Sequence, residues 1–209
     1  MNPLGIRLGK VRRAGAAMVE AIREDHAMMR HYDDRYAAGQ REGGELARDL
    51  VTRIGFQMIA AYRAMRFCVE AEIPLAPKVA SRLIRHVYGS DIHWNAQLAP
   101  GVVVVHGMGL AISHAARVER GAILFHNVTL GMGTDPATRE SGAPVVEAGV
   151  HLGAGSTLFG PITVGAGSKV TANCLLRQSV PPNSLVEAPT PQVTTRPARA
   201  TPIHSRTEP

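Results

Sequence analysis

Two periodicities of apolar residues divide the chain, and the first covers its N-terminal part. There, apolar side chains recur at spacings of three and four, as they do on one face of an amphipathic helix. The pattern is most regular over residues 45–72, which Pro74 closes because proline cannot continue a helix. The sequence therefore predicts an α-helical domain over residues 1–90, with a break at Gly43 and Gly44.

From Asp91 onward, apolar residues recur at every sixth position instead, with a shift of two residues before Ile112 and an interruption before Val146. The aliphatic residues of this repeat are Ile92, Leu98, Val104, Ile112, Val118, Leu124, Leu130, Val146, Leu152, Leu158, Val164, Val170 and Leu176. A period of six predicts short strands, each sending one aliphatic side chain inward before a turn at a small residue or glycine. Three hexads make one triangular coil, and stacked coils bury a shared core. The sequence therefore predicts a β-structured prism over residues 91–188. An ordinary β-sandwich with chance spacing is the alternative that this regularity disfavours.

The repeat has one long interruption and one abrupt end. Residues 131–144 are polar and contain glycine and proline, so they are predicted to loop out of the prism. Long loops kept within a compact repeat usually carry function. Residues 189–209 have several prolines and almost no apolar residues, which predicts a flexible C-terminal tail.

Composition and charge narrow the class of protein. Aromatic residues make up 4% of the chain and glycines number 21, which suits a repetitive β structure with a narrow interior. The net charge of +6 is compatible with a nucleic acid or an anionic small ligand, but much of it lies near the two ends. Cys68 and Cys174 form no metal or redox motif. With no signal peptide and no membrane-length apolar run, we expect a cytoplasmic protein that binds neither membranes nor nucleic acid.

Several motifs in the second half resemble those of serine acetyltransferases, and the resemblance extends from about residue 22 to residue 187. The matching motifs are Asp91-Ile92-His93, His106 at its spacing from them, Val128-Thr129-Leu130-Gly131, Gly153-Ala154-Gly155, Gly160-Pro161-Ile162 and Pro181-Pro182-Asn183-Ser184. The resemblance implies an α+β protein in which a left-handed parallel β-helix of hexapeptide repeats follows the helical domain. It also implies acetyl-CoA as acyl donor, no metal, and a homotrimer, and it leaves a dimer of trimers open.

Acetyl transfer to a hydroxyl needs a base that removes the hydroxyl proton, and a neutral histidine does this near physiological pH. The resemblance gives this role to His106, and it gives Asp91 the role of orienting the imidazole and stabilising its charged form. One coil is about eighteen residues long, so the two residues are predicted to lie on neighbouring coils. His93 is predicted to lie near the acceptor, where it either positions substrate or packs. For CoA the resemblance points to Gly131, Gly133, Gly153, Ala154, Ser168 and Lys169.

The departures from the family pattern all concern the acceptor. Val105 stands where the family has an aspartate, and Ala143 lies in the triplet that replaces the family's Arg-His-Pro. The helical-domain aspartate is matched only loosely, by Asp33 or Asp34, and we select Asp34 as the candidate. Arg139 in the loop is a candidate replacement for the missing charge. A free amino acid carries both charges and needs both partners. We therefore predict a modified or carrier-bound amino acid, or a sugar, as acceptor, while ordinary serine acetylation through other residues stays open.

Two other classes of function compete with acetyl transfer. A metalloenzyme would need histidines at metal-ligand spacing, and His93, His106, His114, His126 and His151 include no closely spaced pair of the required kind. A non-catalytic scaffold would have no use for the combination of Asp91 and His106. The sequence therefore favours an acetyl-CoA-dependent O-acetyltransferase.

Overall fold

A computed structural model describes residues 3–36 and 45–195. Within these ranges, four helices precede sixteen short strands, so the predicted order of a helical part followed by a β part is confirmed. The helices are α1 Pro3–Tyr36, α2 Leu46–Thr52, α3 Ile54–Glu70 and α4 Ala76–Tyr88. The predicted break at Gly43 and Gly44, and residues 196–209 of the predicted tail, lie outside the described residues, whereas residues 189–195 form neither helix nor strand.

The strands form three parallel faces of a triangular prism. Face A contains β1 Asp91–Ile92, β4 Ala111–Ile112, β7 Thr129–Gly131, β12 Thr157–Phe159 and β15 Leu175–Leu176. Face B contains β2 Gln97–Leu98, β5 Arg117–Val118, β10 Val145–Val146 and β13 Thr163–Val164. Face C contains β3 Val103–Val104, β6 Ile123–Leu124, β11 His151–Leu152, β14 Lys169–Val170 and β16 Leu185–Val186. From β1 to β15, the strands of these faces follow one another in the order A, B, C, which confirms the predicted β-helix.

The core of the prism is built from the aliphatic residues of the six-residue repeat, and every one of them is buried. On face A the strand pairing stacks Ile92 on Ile112, then Leu130, Leu158 and Leu176. Each such side chain contributes about 1.5–3 kcal/mol by leaving water. The columns are therefore both the reason for the period and the main source of stability.

Besides the interruption after Leu130, the repeat lengthens by two residues between Val104 and Ile112, where the prism turns from face C to face A. The corner segment 105–110 takes up the two additional residues, and Gly107 and Gly109 adopt positive φ angles of 64° and 68° there. These angles lie in the left-handed region, which suits glycine because it has no Cβ. The wider corner carries His106.

The predicted protruding loop is also confirmed, and it forms a hairpin where the prism turns from face A to face B. Its strands, β8 Gly133–Thr134 and β9 Ser141–Gly142, pair antiparallel. At the tip, the carboxylate of Asp135 accepts backbone N–H groups from Ala137 and Thr138 at 2.7 and 2.9 Å. The hairpin is thus an ordered projection.

The helices pack on the first coil of the prism through α3. Gly55 lies so close to β3 that a Cβ on it would fall 2.0 Å from the carbonyl oxygen of Val104. Tyr62 donates its hydroxyl to the carbonyl of Ala96 at 2.7 Å and accepts the N–H of Leu98 at 3.1 Å. The contact at Gly55 holds the N-terminal end of α3 against the corner that carries His106, whereas Tyr62 fixes the middle of the helix to β2.

A buried ion pair joins α1, α3 and the prism. Arg63 donates two hydrogen bonds to Asp25, at 2.8 and 2.9 Å, and its guanidinium also donates to the carbonyls of Leu98 and Ala99. Asp25 accepts the backbone N–H of Gly101 at 2.8 Å. Every charge in this network therefore has hydrogen-bond partners, as burial requires. No helix within residues 3–36 and 45–195 is both long and apolar enough to cross a bilayer.

Candidate active site

His106 lies on the C–A edge, the prism edge formed by residues 105–110, 125–128, 153–156 and 171–174 of successive coils. Its side chain is exposed. Its ring lies 5.3 Å from the ring of His126 and 6.2 Å from that of Phe125, both on the next coil. The predicted base is therefore accessible to a substrate and is flanked by a second imidazole.

A cavity of about 340 Å³ opens beside His106, between the prism and the helices. Val105 and His106 line one side of it, and Tyr32, Asp33 and Arg53 line the other. Asp33 is buried, whereas Asp34, the aspartate that we selected from the sequence, is exposed. The cavity thus combines a candidate base with a carboxylate and a guanidinium.

Asp33 and Arg53 belong to a small charged cluster behind this cavity. Arg53 donates Nη1 to Asp33 and Nε to Asp49, the latter at 3.2 Å, and Asp49 lies 2.8 Å from Nε2 of His26. Arg53 ends α2 and precedes α3, with extended backbone angles of φ −114° and ψ 101°. The cluster is therefore built on a break between two helices and on one face of α1.

Helical spacing would have identified Asp33. His26, Met29 and Asp33 recur at intervals of three and four along α1, so they share one face. Met29 is part of the core, which turns that face toward the prism. The sequence did not identify Arg53 in this way. Arg53 lies at the break between α2 and α3, and neither a proline nor a glycine precedes that break.

Asp91 begins β1 at the start of the first coil, and His106 lies at the corner that ends this same coil, before β4 pairs with β1. The two residues therefore lie at the two ends of one coil and not on the neighbouring coils that the sequence predicted. Its Oδ1 pairs with Nη2 of Arg85 at 2.6 Å, and both side chains are about half exposed. Within residues 3–36 and 45–195, no hydrogen bond joins Asp91 to His106, and Oδ2 of Asp91 has no hydrogen-bond partner there. The orienting contact that we predicted is therefore not formed in this structure, although one carboxylate oxygen remains available for it.

His93 lies in a second groove, of about 450 Å³, along face A. The groove also includes Asp91, His114 and Gly131. The ring of His93 lies 4.0 Å from that of Trp94 and 5.5 Å from that of His114, and its Nδ1 accepts the N–H of Asn95 at 3.0 Å. Asp91 and His93 thus belong to this groove, whereas His106 faces the cavity on the other side of the C–A edge.

Burial lowers the pKa of His93 below its ordinary value of 6.5, and the neighbouring His114 lowers it further, against the opposing charge of Asp91. We therefore expect the His93 resonances to titrate with a midpoint below 6.5 in an NMR pH series. Because the pKa is depressed in the folded state, His93 contributes stability above pH 6.5 that is lost as the pH falls through its folded pKa. His114→Gln should move the midpoint only part of the way back, since burial is the larger cause. A midpoint at or above 6.5 would contradict this account.

The predicted CoA residues fall into two groups. Gly153 and Ala154 lie on the C–A edge, on the coil after His126, and Lys169 is exposed on face C beside His151. Gly131 and Gly133 lie at the base of the hairpin, where a Cβ on Gly131 would fall 2.2 Å from the ring of Phe159.

Ser168 has a different environment from the other predicted CoA residues. It is fully buried, donates its hydroxyl to the carbonyl of Pro181 at 2.9 Å, and accepts the N–H of Ser184 at 3.0 Å. Its hydroxyl closes a turn inside the prism and is not available to a cofactor.

Two further predicted acceptor residues, like His93 and Asp34, do not line the cavity. Arg139 is exposed at the tip of the hairpin, and Ala143 is buried at its base. The hairpin leaves the prism between face A and face B, so within one chain neither residue lines the cavity beside His106. Among the described residues, no group of three or more histidines, cysteines and carboxylates is arranged to hold a metal ion.

No protein-family model matches the chain. In sequence it is similar to serine acetyltransferase 2 of Arabidopsis thaliana, with 38% identity over 133 residues that cover 63% of this chain and 40% of that protein. It is also similar to a serine acetyltransferase of Buchnera aphidicola (subspecies Schizaphis graminum), with 33% identity over 129 residues that cover 61% of this chain and 49% of that protein. The chain thus spans about half the length of these relatives.

Solved serine acetyltransferases share its fold. The enzyme of Brucella abortus strain S19 superposes with a TM-score of 0.71 at 25% identity, covering 87% of this chain and 70% of that one. The enzyme of Neisseria gonorrhoeae, solved in complex with serine, superposes with a TM-score of 0.68 at 22% identity, covering 83% and 69%. These likenesses confirm the resemblance drawn from the motifs and the left-handed hand of the β-helix.

Proposed function

Starting from its relationship to the serine acetyltransferases, we propose that this chain is an acetyl-CoA-dependent O-acetyltransferase with His106 as its general base. The observation that carries the proposal is the cavity in which an exposed histidine faces a carboxylate and a guanidinium. Such a cavity holds a small polar acceptor within reach of the base. The position of His106 on the C–A edge also leaves it open to a thioester that lies along the later coils.

In the proposed reaction, His106 accepts the proton of the acceptor hydroxyl as the hydroxyl oxygen bonds to the acyl carbon. The carbon–sulfur bond breaks, and His106 then returns the proton to the departing sulfur. Asp91, through its unpaired Oδ2, would orient the imidazole and stabilise its charged form. The chain's residues therefore supply proton transfer and orientation, and the thioester supplies the activated acyl group.

The C–A edge and face C supply groups that suit the acyl donor. Gly153 and Ala154 lie partly exposed on the C–A edge, two coils beyond His106. On face C, burial lowers the pKa of His151, and the positive charges of Lys169 and Arg35 lower it further. The last two effects indicate a positive local potential, which favours the phosphates of CoA. We therefore retain Gly153, Ala154 and Lys169 as proposed CoA contacts.

The structure offers arguments for two kinds of acceptor. Val105 and Ala143 remove polar groups from positions where the family has them, which supports a modified or carrier-bound amino acid. However, Asp33 and Arg53 line the cavity and supply opposite charges that the sequence motifs lacked. Free L-serine, with one ammonium and one carboxylate, fits this pair equally well. Ordinary serine acetylation is therefore the second candidate function.

The acceptor can be tested by following free-thiol release from acetyl-CoA with L-serine, L-serinamide and N-acetyl-L-serine. Serinamide lacks the carboxylate, as a carrier-bound residue would, and N-acetylserine lacks the ammonium. We expect acceptor-dependent thiol release with at least one of the three. Preference for L-serine would establish the second candidate, and preference for serinamide or N-acetylserine would support a modified acceptor. Release no greater than the acceptor-free background with all three would refute acetyl transfer to a serine-type hydroxyl.

We also propose that the chain assembles as a homotrimer. Leu175 on face A and Leu185 on face C are 64% and 60% exposed. They place apolar surface on the outside of the prism. Burying such surface between copies would stabilise an assembly. We expect a solution mass three times the chain mass of 22.3 kDa, or six times for a pair of trimers, in light scattering after gel filtration. A monomeric mass at micromolar concentration would contradict the proposal.

A further inference from the structure

A second histidine occupies the C–A edge directly beside the proposed base. His126 lies one coil beyond His106, and the two rings are 5.3 Å apart at an angle of 65°. The carbonyl oxygen of His126 accepts the N–H of Gly155 at 3.0 Å, and the N–H of Asn127 donates to the carbonyl of Met108 at 2.9 Å. The backbone of His126 is thus fixed between the coil of His106 and the coil of Gly153 and Ala154.

The two nitrogens of His126 have different surroundings. Nδ1 is buried and has no hydrogen-bond partner within residues 3–36 and 45–195. The side chain as a whole is only half-buried, so its accessible edge is the one that carries Nε2. Buried polar atoms in proteins are nearly always satisfied, which makes this ring unusual and calls for a functional or structural reason.

The burial of Nδ1 indicates where a neutral His126 carries its proton. A neutral imidazole has one N–H and one bare nitrogen. A buried N–H without an acceptor is rarer in proteins than a buried acceptor without a donor. The proton is therefore assigned to Nε2. In this tautomer, His126 presents an N–H donor on the accessible side of the edge, next to the group that moves the proton.

From this arrangement we infer that His126 is a second catalytic residue, which donates its Nε2–H to the carbonyl oxygen of the acyl donor. The inference rests on the proposed function and names the group that the reaction still lacks. As the acceptor oxygen bonds to the acyl carbon, negative charge develops on the carbonyl oxygen, and a fixed donor there stabilises the transition state more than the ground state. His106 carries the proton from the hydroxyl to the sulfur, whereas His126 keeps its own proton throughout.

The position of His126 supports this division of roles. The proposed acyl donor lies along the coils of Gly153 and Ala154, and the acceptor lies in the cavity beside Val105 and His106. A thioester carbonyl between the two has to pass the C–A edge at the coil of His126. Phe125 lies 6.2 Å from the ring of His106 and adds an apolar wall, which strengthens hydrogen bonds to a developing charge.

Three substitutions of His126 distinguish a donor at the position of Nε2 from one at the position of Nδ1. In His126→Gln, the side-chain amide nitrogen reaches about as far as ring Nε2, whereas in His126→Asn it reaches only about as far as Nδ1. His126→Leu provides no donor at either position. We expect kcat of His126→Leu to fall about 10²–10³-fold, the usual effect of losing one such donor. His126→Gln should recover most of the loss and His126→Asn little of it, while KM for both substrates stays within about threefold in all three.

Two further measurements separate catalysis from folding. The melting temperatures of the three variants should lie close together, so that a difference in kcat between Gln and Asn cannot come from stability. Free CoA has no acyl carbonyl, so its affinity in calorimetry should be the same for the wild type and all three variants. If His126→Leu fails to fold, the comparison of Gln with Asn still decides the matter.

The results also separate this inference from the proposed function. Full kcat in His126→Leu, equal rescue by Asn and Gln, or a loss confined to KM would overturn the role of His126 while acetyl transfer by the wild type stands. If the wild type releases no thiol with any acceptor, or if His106→Asn keeps full activity, the proposed function itself fails, and the role of His126 fails with it.

Discussion

Replacing His106 by asparagine is expected to lower kcat for acetyl transfer by about 10²–10⁴-fold, the usual contribution of a general base. Asparagine retains hydrogen-bonding capacity but cannot take a proton from the hydroxyl near neutral pH. Because His106 lines the cavity without blocking it, KM for the acceptor should change little. Free-thiol release measured at saturating acetyl-CoA would show the loss directly.

A matched control is the exposed His86 on α4, which lies in neither the cavity nor the groove. His86→Asn should leave kcat and the melting temperature at their wild-type values. His106→Asn should leave the melting temperature unchanged as well, since the side chain is exposed and forms no hydrogen bond within the described ranges. Activity of His106→Asn within about threefold of the wild type would rule out this histidine as the base.

The β part of the fold was predictable because its physics is local and repetitive. One inward aliphatic residue per hexad fixes the strands, and the strand pairing stacks Ile92, Ile112 and Leu130 in the expected column. The interruption at 131–144 was predictable for the same reason, since a polar segment supplies no aliphatic side chain for the buried column.

The acceptor side of the site was harder to predict because it depends on contacts between distant parts of the chain. Asp33 and Asp34 are neighbours in sequence, and only the packing of α1 on β3 decides which of them faces the cavity. Arg53 reaches the cavity because α2 and α3 meet at an angle that no local motif specifies. Likewise, the direction of the His126 ring follows from the stacking of coils, so its sequence position alone indicated no role.

Asp91 shows how far a motif can determine geometry. Its position at the start of the first coil follows from the repeat, but the ion pair with Arg85 depends on how α4 packs on β1. Arg85 is on the last turn of α4, where a cation is also favoured by the helix dipole. The motif therefore fixes where the carboxylate lies along the prism, whereas the helical domain selects its partner.

The largest expected effect on stability comes from Arg63→Met, which should reduce the free energy of unfolding by about 3–5 kcal/mol. Arg63 and Asp25 are 5% and 1% exposed, so the substitution leaves a carboxylate in the interior without its countercharge. The carbonyls of Leu98 and Ala99 lose their donor at the same time. Urea unfolding at fixed protein concentration would measure the loss, because assembly makes stability depend on concentration.

Arg66→Met, one turn further along α3, is the matched control. Arg66 is partly exposed and donates to the carbonyl of Trp94 and to Glu70 near the surface, so its loss should cost about 1 kcal/mol or less. The double variant Asp25→Leu/Arg63→Met removes both buried charges and should be more stable than Arg63→Met alone. Additive losses in the double variant would contradict the view that the unpaired charge is the main cost.

The pH dependence of Arg63→Met gives an independent check on the same carboxylate. Burial raises the pKa of Asp25 above its ordinary value of 3.8, while Arg63 lowers it, so removing Arg63 should raise it further. A carboxyl whose pKa is higher in the folded state contributes stability that is full below pH 3.8 and is lost as the pH rises through its folded pKa. The deficit of Arg63→Met relative to the wild type should therefore be larger at pH 8 than at pH 5. A deficit that stays constant between these values would mean that Asp25 finds another countercharge, or enough water, when Arg63 is removed.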